Sequence, residues 1–139
     1  QRAYFGEKDF QQLAIIRDMV RQLSLSVEIV GCPIVRETDG LALSSRNALL
    51  TPEQRVMALN ISRALFASVE YAKGHTLEET KRMVEDAIAS TDGLELEYYE
   101  IVNGTTLQTV CAWDDAEYIV GCITVYCGKV RLIDNIRYK

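Results

Sequence analysis

Two short stretches hold the residue types best suited to chemistry. Ser44-Ser45-Arg46-Asn47 sets two adjacent hydroxyls beside a guanidinium. Arg offers a rigid fork of N–H groups and Ser adds hydroxyl and backbone donors, so the cluster suits a phosphate or a carboxylate. Upstream, Phe5-Gly6-Glu7-Lys8-Asp9-Phe10-Gln11-Gln12 places Lys8 and Asp9 where an apolar strand gives way to a helix. The free N–H groups and dipole of a helix start favour anions, and Lys8 adds a full positive charge. Gly6 lets a ligand approach the backbone closely. One reading is a nucleotide site with Lys8 on phosphates, Asp9 on ribose hydroxyls, Gln12 on a second substrate, and Ser44, Ser45 and Arg46 holding the phosphate chain from the other side. The other is a capped surface helix with a solvated lysine, followed by a polar linker.

The remaining candidates are weaker. His75 is the single histidine and reads as an exposed turn residue. The cysteines Cys32, Cys111, Cys122 and Cys127 form no C-x-x-C pair, so no metal site is expected. Cys122 and Cys127 fall an odd number of positions apart in a probable strand, on opposite faces and roughly 16 Å apart, beyond disulfide reach. Glu95, Glu97 and Glu100 read as a solvated strand face, Arg131 with Asp134 as an ordinary ion pair, and Trp113 and the late tyrosines as core. There is no G-x-S-x-G and no Walker loop.

The elements that must position these groups follow from periodicity. Ala3 to Phe5 ends a buried strand that Gly6 breaks. Asp9 with Gln12 suggests a capping box, and Leu13, Ile16, Val20 and Leu23 give a helix ending near Leu23 or Ser24. Val27 to Val30 is a second strand, stopped by Gly31 and Pro33. Strand, helix, strand is a βαβ unit with a parallel sheet and a right-handed crossover. Ile34 to Asn47 has no period and reads as a linker with a turn at Glu37 to Gly40. Thr51-Pro52-Glu53-Gln54 starts a helix with an apolar stripe of Ala58, Ile61, Leu65, Val69 and Ala72; Gly74 ends it. Thr76 with Glu79 starts a second helix, ended by Gly93, so the two form an antiparallel hairpin. From Leu94 the period becomes two. Strands to Val102, from Tyr118 to Cys127 and from Val130 to Ile133 imply a small, mostly antiparallel sheet packed on that hairpin.

The fold class is therefore α+β, with residues 1–33 as a βαβ remnant and residues 34–139 as a helical hairpin packed on a small, mostly antiparallel sheet. Since two strands make no stable sheet alone and the chain opens on Gln1, a preceding segment is expected to be missing. Across 139 residues, 48% are hydrophobic and 25% charged, ordinary for a globular protein. A net charge of −5 argues against a nucleic-acid scaffold, and no apolar run is long enough to span a membrane. Reduced thiols fit a cytoplasmic protein.

Four segments together closely resemble the pantothenate synthetase (pantoate–β-alanine ligase) family: Phe5 to Gln12, Val30-Gly31-Cys32-Pro33-Ile34-Val35-Arg36-Glu37, Asp39-Gly40-Leu41-Ala42-Leu43-Ser44-Ser45-Arg46-Asn47, and Arg131-Leu132-Ile133-Asp134-Asn135. The resemblance covers essentially the whole chain, matching about the second half of the family's usual length. It implies membership of the nucleotidylyltransferase superfamily, with residues 1–33 as the remnant of a Rossmann-like nucleotide-binding domain and residues 34–139 as a C-terminal α+β lid domain, and a two-step ligation. ATP and pantoate, with Mg2+, give pantoyl adenylate and pyrophosphate; the amine of β-alanine then gives pantothenate and AMP. Carried over by position, Gly6, Glu7, Lys8 and Asp9 match an ATP-binding segment, Gln12 a pantoate ligand, and Val35 a residue whose backbone meets adenine. Leu43, Ser44, Ser45 and Arg46 match a flexible phosphate loop, with Leu43 standing where methionine is usual. Lys8, Ser44 and Arg46 would stabilise the transition state, while the family's catalytic histidine, its β-alanine site and most of its homodimer contact have no counterpart in these residues. A fragment of this kind is expected to be inactive alone. The alternatives are a non-catalytic lid or interaction domain and another adenylate-forming member of the superfamily.

Overall fold

The computed structural model describes all 139 residues. Strand β1 (Arg2–Gly6) pairs in parallel with β2 (Glu28–Cys32), and helix α1 (Phe10–Gln22) crosses between them. This is the expected βαβ unit, with three differences. Strand β1 is not buried: exposed and half-buried residues alternate along it, and Tyr4 is 63% exposed. Strand β2 runs through Gly31, which pairs with Phe5, so Pro33, which has no N–H to donate, marks the end instead. Asp9 does not cap α1: its backbone sits at φ −89° and ψ 58°, its side chain makes no cap bond, and a 3-10 turn at Glu7–Asp9 intervenes. A cap needs extended backbone to aim its oxygen at the first turn. The first-turn N–H groups of α1 thus lack a side-chain partner from Asp9.

Helices α2 (Pro52–Ala72) and α3 (Leu77–Ala89) form the expected hairpin. Thr51 with Gln54 and Thr76 with Glu79 each close a full reciprocal capping box. Strands β3 (Leu94–Asn103), β4 (Ile119–Cys127) and β5 (Val130–Arg137) form an antiparallel sheet in that order. Strand β5 is longer than expected and occupies one edge. A register shift between Leu96 and Tyr98 breaks the simple alternation of β3, so Tyr99 joins Ile101 in the core.

This sheet is covered on both faces, and alternation divides its residues between them. Ile119, Ile123, Val125 and Cys127 of β4 and Leu132 of β5 face the helical hairpin, where they meet Leu65, Val84 and Ile88 in a core of 17 buried residues. Val102, Val120 and Cys122 face the other way, onto Phe10 at the start of α1. Tyr118 packs edge-on against Phe10, with ring centres 5.9 Å apart. The four thiols are free. No helix is long and apolar enough to cross a membrane.

The segment from Ile34 to Leu50 is not the loose linker its lack of period suggests. Arg36 bridges to Ala42, the Glu37 N–H donates to the Leu41 carbonyl at 2.8 Å, and the Leu43 N–H donates to the Val35 carbonyl at 2.9 Å. Gly40 turns this tight hairpin at φ +96°, a conformation that favours glycine. Arg55 of α2 then ties Glu37 and Asp39 down at 2.6 and 2.8 Å. The hairpin is made by backbone bonds and pinned by a side chain of the next helix, and local apolar periodicity reports neither.

Candidate active site

The edge strand β5 carries the site. A cavity of about 330 Å³ lies beside it, walled by Lys8 and Asp9 on one side, by Ser44, Ser45, Arg46 and Asn47 on another, and floored by Arg131 to Asp134. The two stretches singled out by residue type thus meet across one space. A smaller cavity of about 130 Å³ adjoins it, sharing Lys8, Asp9, Ile133 and Asp134 and adding Gln11, Gln12, Tyr98 and Asn135.

Each wall is built locally. Ser44 adopts extended backbone, and its hydroxyl accepts from the Arg46 N–H at 3.2 Å, capping a 3-10 turn over Ser45–Leu49. The Arg46 guanidinium reaches back to donate to the Arg131 carbonyl at 3.0 Å, an acceptor on the open edge of the sheet. Asn47 donates to Glu37 and to the Ala42 carbonyl at 3.1 and 3.0 Å. Its own side-chain oxygen is buried without a partner. On the opposite wall, the Asn135 amide donates to the Glu7 carbonyl at 2.8 Å and to the Lys8 carbonyl at 3.1 Å.

The cavity sets cations against few free anions. Lys8, Arg46 and Arg131 all contribute to its lining. Of the two carboxylates present, Asp134 is consumed by a bidentate pair with Arg36, at 2.7 and 2.8 Å, leaving its side chain 4% exposed. The Arg36 guanidinium also donates to the Gly40 carbonyl and lies 4.8 Å above the Phe66 ring. A space lined by a lysine, an arginine fork and two hydroxyls is suited to holding a polyanion. Burial pushes the Cys122 thiol, beside the smaller cavity, up to about 12, which disfavours its thiolate form there.

Some expected residues lie apart. Gln12 lines only the smaller cavity. Glu7 borders neither cavity; its side chain turns toward Arg17 across Gly31, where an added Cβ would meet both side chains at 2.9 Å. Val35 and Leu43 are exposed, joined to each other through the Val35 carbonyl, and outside both linings. Gly6 has ordinary backbone angles and nothing near its missing side chain, so neither the fold nor the packing demands a glycine there.

The expected Arg131–Asp134 pair does not form. Residues three apart on a strand point to opposite faces. Arg131 instead pairs with Glu97 at 2.8 Å, and Glu100 with Lys81 at 3.1 Å, so two of the three strand glutamates are engaged rather than merely solvated. His75 is exposed, as expected, and stacks on Tyr71. Residue-type reasoning missed Asp134 and Asn135 as parts of the site. Their only signal was the motif from Arg131 to Asn135.

Three comparisons bear on what this arrangement is. Among solved structures, a pantothenate synthetase from Thermus thermophilus superposes with a TM-score of 0.92 at 45% identity, over 99% of this chain and 50% of that one. A pantoate-beta-alanine ligase from Francisella tularensis, solved in complex with beta-gamma ATP and beta-alanine, gives 0.65 at 30% identity, over 99% and 43%. Pantothenate synthetase of Bacteroides thetaiotaomicron is 67% identical over 138 residues, and that of Porphyromonas gingivalis 54% identical over the same number. Each match takes in 99% of this chain and 49% of the relative, so the chain spans about half the length of the curated relatives it matches. The family profile described as Pantoate-beta-alanine ligase matches residues 1–137, and the chain belongs to that family.

Proposed function

We propose that this chain is the C-terminal portion of a ligase that joins pantoate to β-alanine, with residues 1–33 completing a nucleotide-binding domain and residues 34–139 forming a lid over it. The observation that carries this reading is the shared cavity: Lys8 and Asp9, far from Ser44, Ser45 and Arg46 in sequence, line the same space. The Francisella relative, solved with beta-gamma ATP and beta-alanine, supports the same substrates here.

In this reading the pantoate carboxylate attacks the α-phosphorus of ATP and pyrophosphate leaves. The amine of β-alanine then attacks the acyl carbon of the adenylate and AMP leaves. Lys8 and Arg46 offset the phosphate charge, the hydroxyls of Ser44 and Ser45 donate to phosphate oxygens, and Asp9 accepts from the ribose. Gln12, in the adjoining cavity, holds pantoate in line. The exposed Val35, whose carbonyl is taken by Leu43, has its N–H left for adenine. Gly6 admits the nucleotide to the backbone, which accounts for a glycine that the fold does not require. The charge of the triphosphate calls for Mg2+, but this chain gathers no group of three or more His, Cys, Asp or Glu. The ion would enter with the nucleotide as part of the substrate and supply charge neutralisation at the phosphates. The complete ligase is a homodimer, and the 139 residues alone are inactive because the other half of the phosphate contacts is absent.

The test is pantoate-dependent exchange of labelled pyrophosphate into ATP by the complete chain. Exchange that requires pantoate, and formation of pantothenate once β-alanine is added, are the expected results. Exchange driven equally well by unrelated carboxylic acids would point to a different adenylate-forming enzyme. Ligation by the 139 residues alone would contradict the division of labour.

A further inference from the structure

Asp134 and Asn135 are neighbours on β5, and alternation sends their side chains to opposite faces of the sheet. Asp134, on the helical-hairpin face, holds Arg36 with both oxygens, and through it the 35–43 hairpin that leads into the Ser44–Arg46 loop. Asn135, on the face toward α1, holds the carbonyls of Glu7 and Lys8. The two are coupled, because the Asn135 N–H donates to an Asp134 oxygen at 2.8 Å. They are only 6% and 8% exposed, so water does not compete for these bonds. One dipeptide thus grips both walls of the cavity through buried, charge-assisted or doubled hydrogen bonds. The start of α1 is otherwise held to the sheet by a small apolar cluster around Phe10 and by an exposed hydrogen bond from the Tyr98 hydroxyl to Gln11.

We propose that Asp134 and Asn135 are positioning residues that set the distance between the Lys8 segment and the Ser44–Arg46 loop. They touch no reacting atom; they act through Arg36 and through the backbone of Glu7 and Lys8. The inference rests on the ligase reading above. A shift of about 1 Å between the walls of a phosphate site costs up to about 100-fold in rate, whereas ground-state binding of ATP, spread over many contacts, changes less.

The experiment measures kcat and KM for ATP in pantoate-dependent exchange by the complete ligase. It compares Asn135→Ala, Lys8→Ala, the two combined, and the paired Arg36→Met/Asp134→Leu variant. The paired variant removes both buried charges together, which avoids stranding one of them. Asn135→Ala is expected to lower kcat by about 30-fold, with KM for ATP moving less than about threefold. Because Asn135 acts through Lys8, the combined variant is expected to be scarcely slower than Lys8→Ala alone. The paired variant is expected to lose kcat similarly while remaining folded, and it decides the matter should Asn135→Ala not fold. Wild-type kcat in Asn135→Ala or in the paired variant, or losses that multiply fully in the combined one, would overturn the positioning role. Wild-type exchange in Lys8→Ala would instead remove the ligase reading of the site and the inference with it.

Discussion

The two faces of the three-stranded sheet are covered by very different means. On one, α2 and α3 bury a core of 17 residues that includes Leu65, Val84, Ile88 and Ile123. On the other, Phe10 meets a small cluster of Val102, Val120 and Cys122 edged by Tyr118, and the polar attachments run through Asn135 and through the Tyr98 hydroxyl to Gln11. The first face is a packed interior, where close apolar contact supplies stability and resists change. The second is a small seam whose position is set by a few hydrogen bonds. The cavity opens at the β5 edge, where these two covers meet. Under the proposed function, one wall of the site is anchored to a packed layer and the other is held mainly by the hydrogen bonds of Asn135.

If the helix-covered face carries the stability, Leu65→Ala has the largest effect. Leu65 is fully buried, and its truncation is expected to cost about 2–5 kcal/mol. Urea unfolding should show a lower midpoint with an unchanged slope. A loss under about 1 kcal/mol would break the contrast between the faces.

The seam face has its own titration. Burial holds the Cys122 thiol up to about 12, against an ordinary value of 9.0. Above pH 9 the unfolded chain releases this proton and the folded chain keeps it. Unfolding is then favoured as pH rises, so the thiol's contribution is complete below pH 9 and is lost between 9 and 12. The slope is about 1.4 kcal/mol per pH unit for one such group. Burial raises Tyr99 and Tyr138 as well, and they add to the decline above pH 10. Chemical unfolding across pH 8–10.5 should show Cys122→Ala declining less steeply than the parent. Parallel curves would mean that the seam is open to water.

The smallest effect on stability sharpens the contrast most. A methyl at Gly6 would meet nothing, and the backbone there suits alanine. Gly6→Ala is expected to leave stability unchanged or to raise it by about 0.4–1 kcal/mol, while weakening ATP binding by the complete ligase. Destabilisation with intact ATP binding would make Gly6 a structural residue instead.

Much of this layout is legible in the sequence. The capping boxes at Thr51 and Thr76 combine with apolar stripes to define α2 and α3, because helix starts and stripes are local signals. The meeting of Lys8 with Ser44 and Arg46 could be suspected from residue type and from the family resemblance. The bulge in β3 was not legible, since alternation of Leu94, Leu96 and Tyr98 gives no hint of a register shift. The partner of Asp134 was hidden for a related reason: Arg131 is near in sequence but faces away, whereas Arg36 is 98 residues distant. Asp9 looked like a cap because residue type says nothing about backbone angle. In each case long-range packing decided what local pattern left open.

The central claim is that the Lys8 segment and the Ser44–Arg46 loop close on one nucleotide. A double-mutant cycle of Lys8→Ala and Arg46→Ala in the complete ligase, read as kcat/KM for ATP in pantoate-dependent exchange, tests it most directly. Each single variant is expected to lose about 100-fold. The combined variant should depart from the product of the two losses by a factor corresponding to at least about 0.5 kcal/mol of coupling. Losses that multiply in full would mean that the two residues act on separate events, and near wild-type rates in either single variant would contradict a shared site outright.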